Sequence, residues 1–175
     1  MPPEYIRECF KTDVRSWEAS EQCRQLTSTL ISASSSKVDK IVAFACNTIS
    51  DPEEEYASRS TFQHALILTI RDILANKDGN PKDIACYAQD PAYTNTDRSV
   101  LAEAGITVLD DPEGFLIADE STVVISCASN VPVKQIISDI TQPAIMVWDR
   151  IRGETRQIDG KEFNGPGFSS FTTNG

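Results

Sequence analysis

The chain has 175 residues, 40% of them hydrophobic, which suits one globular domain built around one core. Its net charge of −10, with 26 acidic against 16 basic residues and no Lys/Arg cluster, argues against nucleic-acid binding, which needs a basic face to displace counterions from phosphate, and against anionic membranes. No run approaches the roughly 18 apolar residues that span a bilayer, and the polar start MPPEYIRECFKTD is not a secretory signal, so cytoplasm or nucleus is the expected location. The cysteines Cys9, Cys23, Cys46, Cys86 and Cys127 are odd in number and lack CxxC spacing, which argues against a disulfide scaffold or a structural zinc site.

Residues 1–15 read as irregular. From Ser16 to about Ser32, the spacing of Trp17, Cys23, Leu26, Leu30 and Ile31 predicts an amphipathic helix packed on the domain, followed by a short SASSS linker over 32–36. The run KIVAFAC at 40–46 is apolar throughout, as expected of a strand buried on both faces. The acidic run DPEEE at 51–55 reads as a solvated loop. Ser58 or Ser60 then caps the longest helix, which extends to about Lys77 with Phe62, Leu66, Thr69, Ile70 and Ile73 on its apolar face, and KDGNP at 77–81 forms a turn.

Strand two is IACYA at 84–88, ended by Gln89-Asp90-Pro91. Asn95 or Thr96 caps a helix with Val100, Leu101 and Ala104 on one face, Gly105 stops it, and ITVL at 106–109 is strand three. Residues 112–118 read as a short helix or turn, TVVISC at 122–127 as strand four, 131–140 as a helix with Pro132 in its first turn, and AIMVW at 144–148 as strand five. The organisation is thus an N-terminal segment and helix over 1–36, a domain over 37–150, and a polar glycine-containing tail over 151–175 with room for one more edge strand.

Strands alternating with helices imply right-handed crossovers and a doubly wound, mainly parallel sheet of order 3-2-1-4-5. The fold class is α/β, a Rossmann-like three-layer sandwich with helices on both faces. Going from strand three to strand four carries the chain across strand one and leaves a crevice at the carboxyl ends of strands one and four, where open parallel sheets bind ligands. Asn47, Thr48 and Ser50 follow strand one, and Ser129 and Asn130 follow strand four. These polar, uncharged loops each precede a helix N-terminus, where amide hydrogens favour an anion, and Arg59 can add a bidentate clamp; the same residue types also cap helices with no ligand.

Asp90, ending strand two, stands where ribose-binding acids stand. Against that role, no glycine fingerprint follows strand one, and Asp-Pro is a common turn former. Tyr93 can stack on a base or pack the turn, and Asp97 reads as a first-turn helix acid. Cys46 and Cys127 end adjacent strands, and the lone histidine, His64, lies about one and a half turns into the helix after strand one, so the sequence permits a Cys46–His64 nucleophile–base pair. A single histidine argues against a catalytic metal, and the lack of a Cys-Pro dipeptide argues against haem. No cofactor is assigned.

In chain order, Arg59-Ser60-x-x-Gln63-x-Ala65-Leu66, then Asp90-Pro91, Tyr93, Asp97, Leu101 and Gly105-Ile106 resemble the sensitivity-to-red-light-reduced (SRR-like) domain family. DPEGF at 111–115 and NVPV at 130–133 are similar to fungal members. The resemblance covers roughly residues 38–150. One departure is the turn after strand one: family members often have a Leu-Gly-Ser-like turn, whereas here Ala45, Cys46, Asn47 and Thr48 include no glycine. The candidate ligand-binding set is Asn47, Thr48, Ser50, Arg59, Gln63, Asp90, Tyr93, Asp97, Ser129 and Asn130.

The resemblance implies a regulatory role: circadian and light signalling in plants, and growth, stress or haem-related regulation elsewhere, exerted through protein partners. Three readings follow. The first is a regulatory domain with at most a small polar or nucleotide-like ligand in the crevice. The second is a group-transfer enzyme using a nucleotide-like or S-adenosylmethionine-like cofactor, although no catalytic motif is present. The third is a structural domain that self-associates as a homodimer through the N-terminal helix or an edge strand.

Overall fold

Five apolar segments of four or five residues form the strands: β1 (Lys40–Phe44), β2 (Ala85–Gln89), β3 (Ile106–Leu109), β4 (Thr122–Ser126) and β5 (Ile145–Trp148). They pair in parallel in the order β3-β2-β1-β4-β5, so the predicted topology holds. The computed structural model describes residues 1–33, 37–51, 57–77, 79, 81–127 and 129–148. The expectations for residues 34–36, 52–55 and 151–175 lie outside this range. No helix among the described residues is long and apolar enough to cross a membrane.

Alternation along β1 sorts the core into two layers. Ile41 and Ala43 join the larger cluster with Ile67 and Ile70 of α3 (Ala57–Asn76) and Val100 and Leu101 of α4 (Asn95–Glu103). Val42 and Phe44 join the smaller cluster on the other face, against Phe115 of α5 (Glu113–Ile117) and Val133 and Ile137 of α6 (Val133–Ile140). β1 and β4 are covered on both sides, which is why they read as unbroken apolar runs.

The N-terminus corrects the sequence reading. Residues 3–18 are not irregular but form α1 (Pro3–Glu18), and the single predicted helix from Ser16 breaks at Ala19 before α2 (Glu21–Ala33). Pro3 at the first helical position loses no intrahelical bond, and Ile6, Phe10 and Val14 recur every four residues on the face that enters the core. The Ser20 hydroxyl caps α2 by accepting from the Cys23 amide at 3.1 Å. Both helices pack on α3, where the Trp17 indole donates to the Thr69 hydroxyl at 3.0 Å. α3 is therefore buried on two sides, and each fully buried isoleucine contributes roughly 1.5–3 kcal/mol.

Two helix starts also differ from expectation. The cap of α4 is Thr94, not Asn95 or Thr96, and Ser58 and Ser60 both lie inside α3 rather than ahead of it. Gly105, at φ +84°, ends α4 as predicted, with Arg71 donating to the Ala104 carbonyl at 3.1 Å.

Candidate functional site

The chain leaves β1 through two residues in the left-handed region, Ala45 at φ 59° and Asn47 at φ 62°, with Cys46 between them. Asparagine tolerates this conformation because its side chain bonds locally, and here Asn47 Oδ1 accepts from the Thr48 amide at 2.8 Å. Alanine has no such compensation. The turn is held from three directions. The Ala45 amide donates to the Gln89 carbonyl at 3.2 Å, and the Asn47 amide donates to Asp90 Oδ2 at 2.8 Å. From α3, the buried Ser60 hydroxyl reaches the carbonyls of Cys46, Asn47 and Thr48 at 2.8, 3.1 and 2.8 Å.

Asp97 gathers the rest of the loop. It is fully buried and completes a capping box with Thr94. It also accepts from the Thr48 hydroxyl at 2.9 Å, the Ile49 amide at 2.9 Å and the Ser50 hydroxyl at 2.8 Å. Burial by itself would raise the pKa of this carboxyl. The donors from Thr94, Ser50 and Thr48 outweigh it and hold the group below the usual carboxylate range. Thr48, Ser50 and Asp97 thus form a clamp between the β1–α3 loop and α4.

Under the loop runs a buried chain of titratable groups. A carbonyl only accepts, so His64 Nδ1, 2.8 Å from the Ser60 carbonyl, carries the proton, and Nε2 accepts from the Tyr93 hydroxyl at 2.7 Å. Tyr93 also neighbours the Cys46 thiol, which itself donates to the Phe44 carbonyl at 4.0 Å. Cys46 and His64 are therefore not a direct pair: Tyr93 stands between them, and the Ser60 carbonyl fixes the ring. Burial lowers the His64 pKa to about 4 and pushes the Cys46 thiol and the Tyr93 hydroxyl up, so all three rest neutral near pH 7.

A crevice of about 160 Å³ opens at the carboxyl ends of β1 and β4, the switch point of the sheet, lined by Cys46, Asn47, Arg59, Ser60, Gln63 and Cys127 among others. Gln63 Nε2 donates to the Cys127 carbonyl at 3.4 Å, and the buried Oε1 of the same amide has no hydrogen-bond partner among the described residues. Buried polar atoms are satisfied in the great majority of cases, so an orphan acceptor beside an open crevice stands out.

Of the predicted set, the structure brings Asn47, Arg59 and Gln63 together here. Asp90 is engaged elsewhere: Oδ2 holds Asn47 and Oδ1 accepts from the Ala92 amide at 2.8 Å. Tyr93 packs the turn over His64. Ser129 lines a different cavity across the sheet, and Asn130 is exposed and lines neither. Sequence reasoning missed Cys127 and Ser60 as crevice walls, although their places at a strand end and one turn into the next helix pointed there. No group of three or more metal-ligating side chains occurs among the described residues.

Residues 16–168 match the SRR1 domain family, a longer stretch than the 38–150 over which the resemblance was read. No curated protein and no solved structure matches the chain. With 16–168 of 175 residues matched, and the five-stranded sheet and its crevice lying inside that span, the chain belongs to the SRR1 domain family.

Proposed function

We propose that this SRR1 domain is a regulatory module that binds a small polar ligand in the β1/β4 crevice and passes its occupancy to protein partners. The observation that carries this reading is Gln63, a wall of the open crevice at the switch point, whose buried Oε1 has no hydrogen-bond partner among the described residues. Backbone strain at Ala45 supports it, because left-handed non-glycine residues cluster at ligand clamps. The resting chemistry favours binding over turnover: Cys46 is a protonated thiol, and both nitrogens of His64 are committed. A ligand with a hydroxyl or amide donor satisfies Gln63, and an anionic group suits the guanidinium of Arg59.

The test is a thermal-shift panel of inorganic phosphate, ribose 5-phosphate, adenosine monophosphate and S-adenosylmethionine, run on the parent and on Gln63→Leu. A ligand at 100 times its dissociation constant adds about 2.7 kcal/mol. The expected result is a shift in the parent that Gln63→Leu loses while its unliganded melting temperature holds. A panel with no shift, or a shift that survives the substitution, refutes the crevice as the binding site.

A further inference from the structure

Across the sheet from the crevice lies a second cavity of about 350 Å³, walled by Phe44, Pro91, Phe115, Val131 and Ile136. Its floor is aromatic: Phe44 and Phe115 stack with centroids 4.5 Å apart and planes at 27°. Gly114 makes that floor, because a Cβ there would meet Gln89 Oε1 at 2.7 Å and the Phe44 ring at 3.0 Å, so only glycine lets α5 settle this low. Gln89 is itself pinned, accepting from the Gly114 amide at 2.6 Å and donating to Asp111 at 2.8 Å.

Among the described residues the two cavities share one wall residue, Ala45, at the top of β1. Its left-handed turn ends the strand abruptly, and its methyl is the smallest side chain that can stand between them. The crevice alone falls short of the about 300–1,000 Å³ usual for small-molecule sites, while the second cavity, at about 350 Å³, reaches that range by itself, so the crevice becomes part of a full-sized site only together with its neighbour.

We propose that the two cavities are halves of one site that straddles the end of β1 and takes an amphipathic small molecule. Its aromatic ring packs on Phe44 and Phe115, and its anionic, hydroxyl-bearing head lies by Arg59 and Gln63. The polarity of the two halves sets this orientation, since the second cavity is walled mainly by rings and aliphatic side chains while the crevice is mainly polar. The inference rests on the crevice reading above and extends it to a ligand class.

Two fluorescent probes test it on the full chain: 8-anilinonaphthalene-1-sulfonate, which has both ring system and anion, and N-phenyl-1-naphthylamine, which lacks the anion. Arg59→Glu and Val131→Asp change exposed side chains at opposite ends of the site, with folding checked by circular dichroism. The sulfonate probe is expected to bind with one-to-one stoichiometry and to lose about tenfold or more in affinity in each variant. The uncharged probe should lose affinity in Val131→Asp only. Loss of sulfonate binding in Arg59→Glu alone overturns the bridge but keeps the crevice. Loss in Val131→Asp alone also overturns the bridge, and leaves the crevice to be judged by Gln63→Leu. Absence of sulfonate binding, or binding indifferent to both changes, overturns the proposal outright.

Discussion

At the scale of single residues, Ala45 is where this chain stores strain. An L-residue in the left-handed region costs roughly 1–2 kcal/mol, and glycine avoids that cost while losing part of the gain to its freer unfolded chain. Ala45→Gly should therefore stabilise the fold by about 0.5–1 kcal/mol, read as a higher urea midpoint at unchanged slope. A lower midpoint would mean that the Ala45 methyl contributes packing worth more than the strain. The glycine-free turn, read from sequence as a departure, keeps the backbone conformation that glycine ordinarily supplies, with Asn47 reaching it by bonding Thr48. Residue identity reported the chemistry of the turn, while its φ angles came from tertiary constraints: the pull of Gln89, Asp90 and Ser60 on three successive parts of the backbone.

At the scale of elements, the Asp97 clamp joins the β1–α3 loop to the first turn of α4, across 47–49 residues of sequence. Asp97→Asn keeps the shape but replaces one acceptor oxygen with a donor facing other donors. Hydrogen bonds to a charged group are worth about 1.5–3 kcal/mol, so a loss of that order is expected in chemical denaturation. Because the folded carboxyl sits below its ordinary pKa of 3.8, its contribution is fully present above that value and lost as pH falls through the lower folded value. The variant should accordingly show a flatter stability profile below pH 4, and a profile as steep as the parent's would assign the acid sensitivity to other carboxylates. The acid was visible in the sequence as a first-turn residue, but its partners were not, since nothing local marks Thr48 or Ser50 as facing α4. The strands and their order were legible because burial on both faces leaves unbroken apolar runs, and because crossover handedness removes most alternatives. α1 was not legible from its opening Met-Pro-Pro, which reads as a breaker, although the spacing of Ile6, Phe10 and Val14 carried the signal. The cap of α4 was placed one or two residues late because Thr94, Asn95 and Thr96 are all good caps, and only the reciprocal bond from Asp97 singles out Thr94. The crevice was legible as a place but not as a residue list: strand order located it, whereas side-chain direction sent Asn47 and Gln63 into it and turned Thr48 and Ser50 away.

At the scale of the whole molecule, His64 ties the layers together. Its ring meets Phe10 of α1 edge-on at 6.4 Å, bonds Tyr93 ahead of α4, and rides on α3 beneath the β1 turn. Burial lowers its pKa from 6.5 to about 4, partly offset by the Ser60 carbonyl and by Asp97 and Asp90, so the folded state disfavours the imidazolium that the unfolded chain accepts freely. Between those two values the unfolded state binds more protons. Stability from this group is therefore complete above about pH 6.5 and lost as pH falls towards 4, a difference of about 3 kcal/mol at 1.36 kcal/mol per unit. Protonation also reverses the Tyr93 bond: Nε2–H then donates to the hydroxyl oxygen, and the Tyr93 hydrogen must turn to another acceptor beneath the turn that borders the crevice. The fall should appear in urea denaturation curves taken from pH 7 to pH 4, and it should shrink in His64→Gln even if that variant is less stable at pH 7. Carboxylate titration in a chain of net charge −10 also changes stability over this range, but it is common to both proteins and cancels in their difference. Parallel curves for parent and variant would move the acid sensitivity away from the buried histidine.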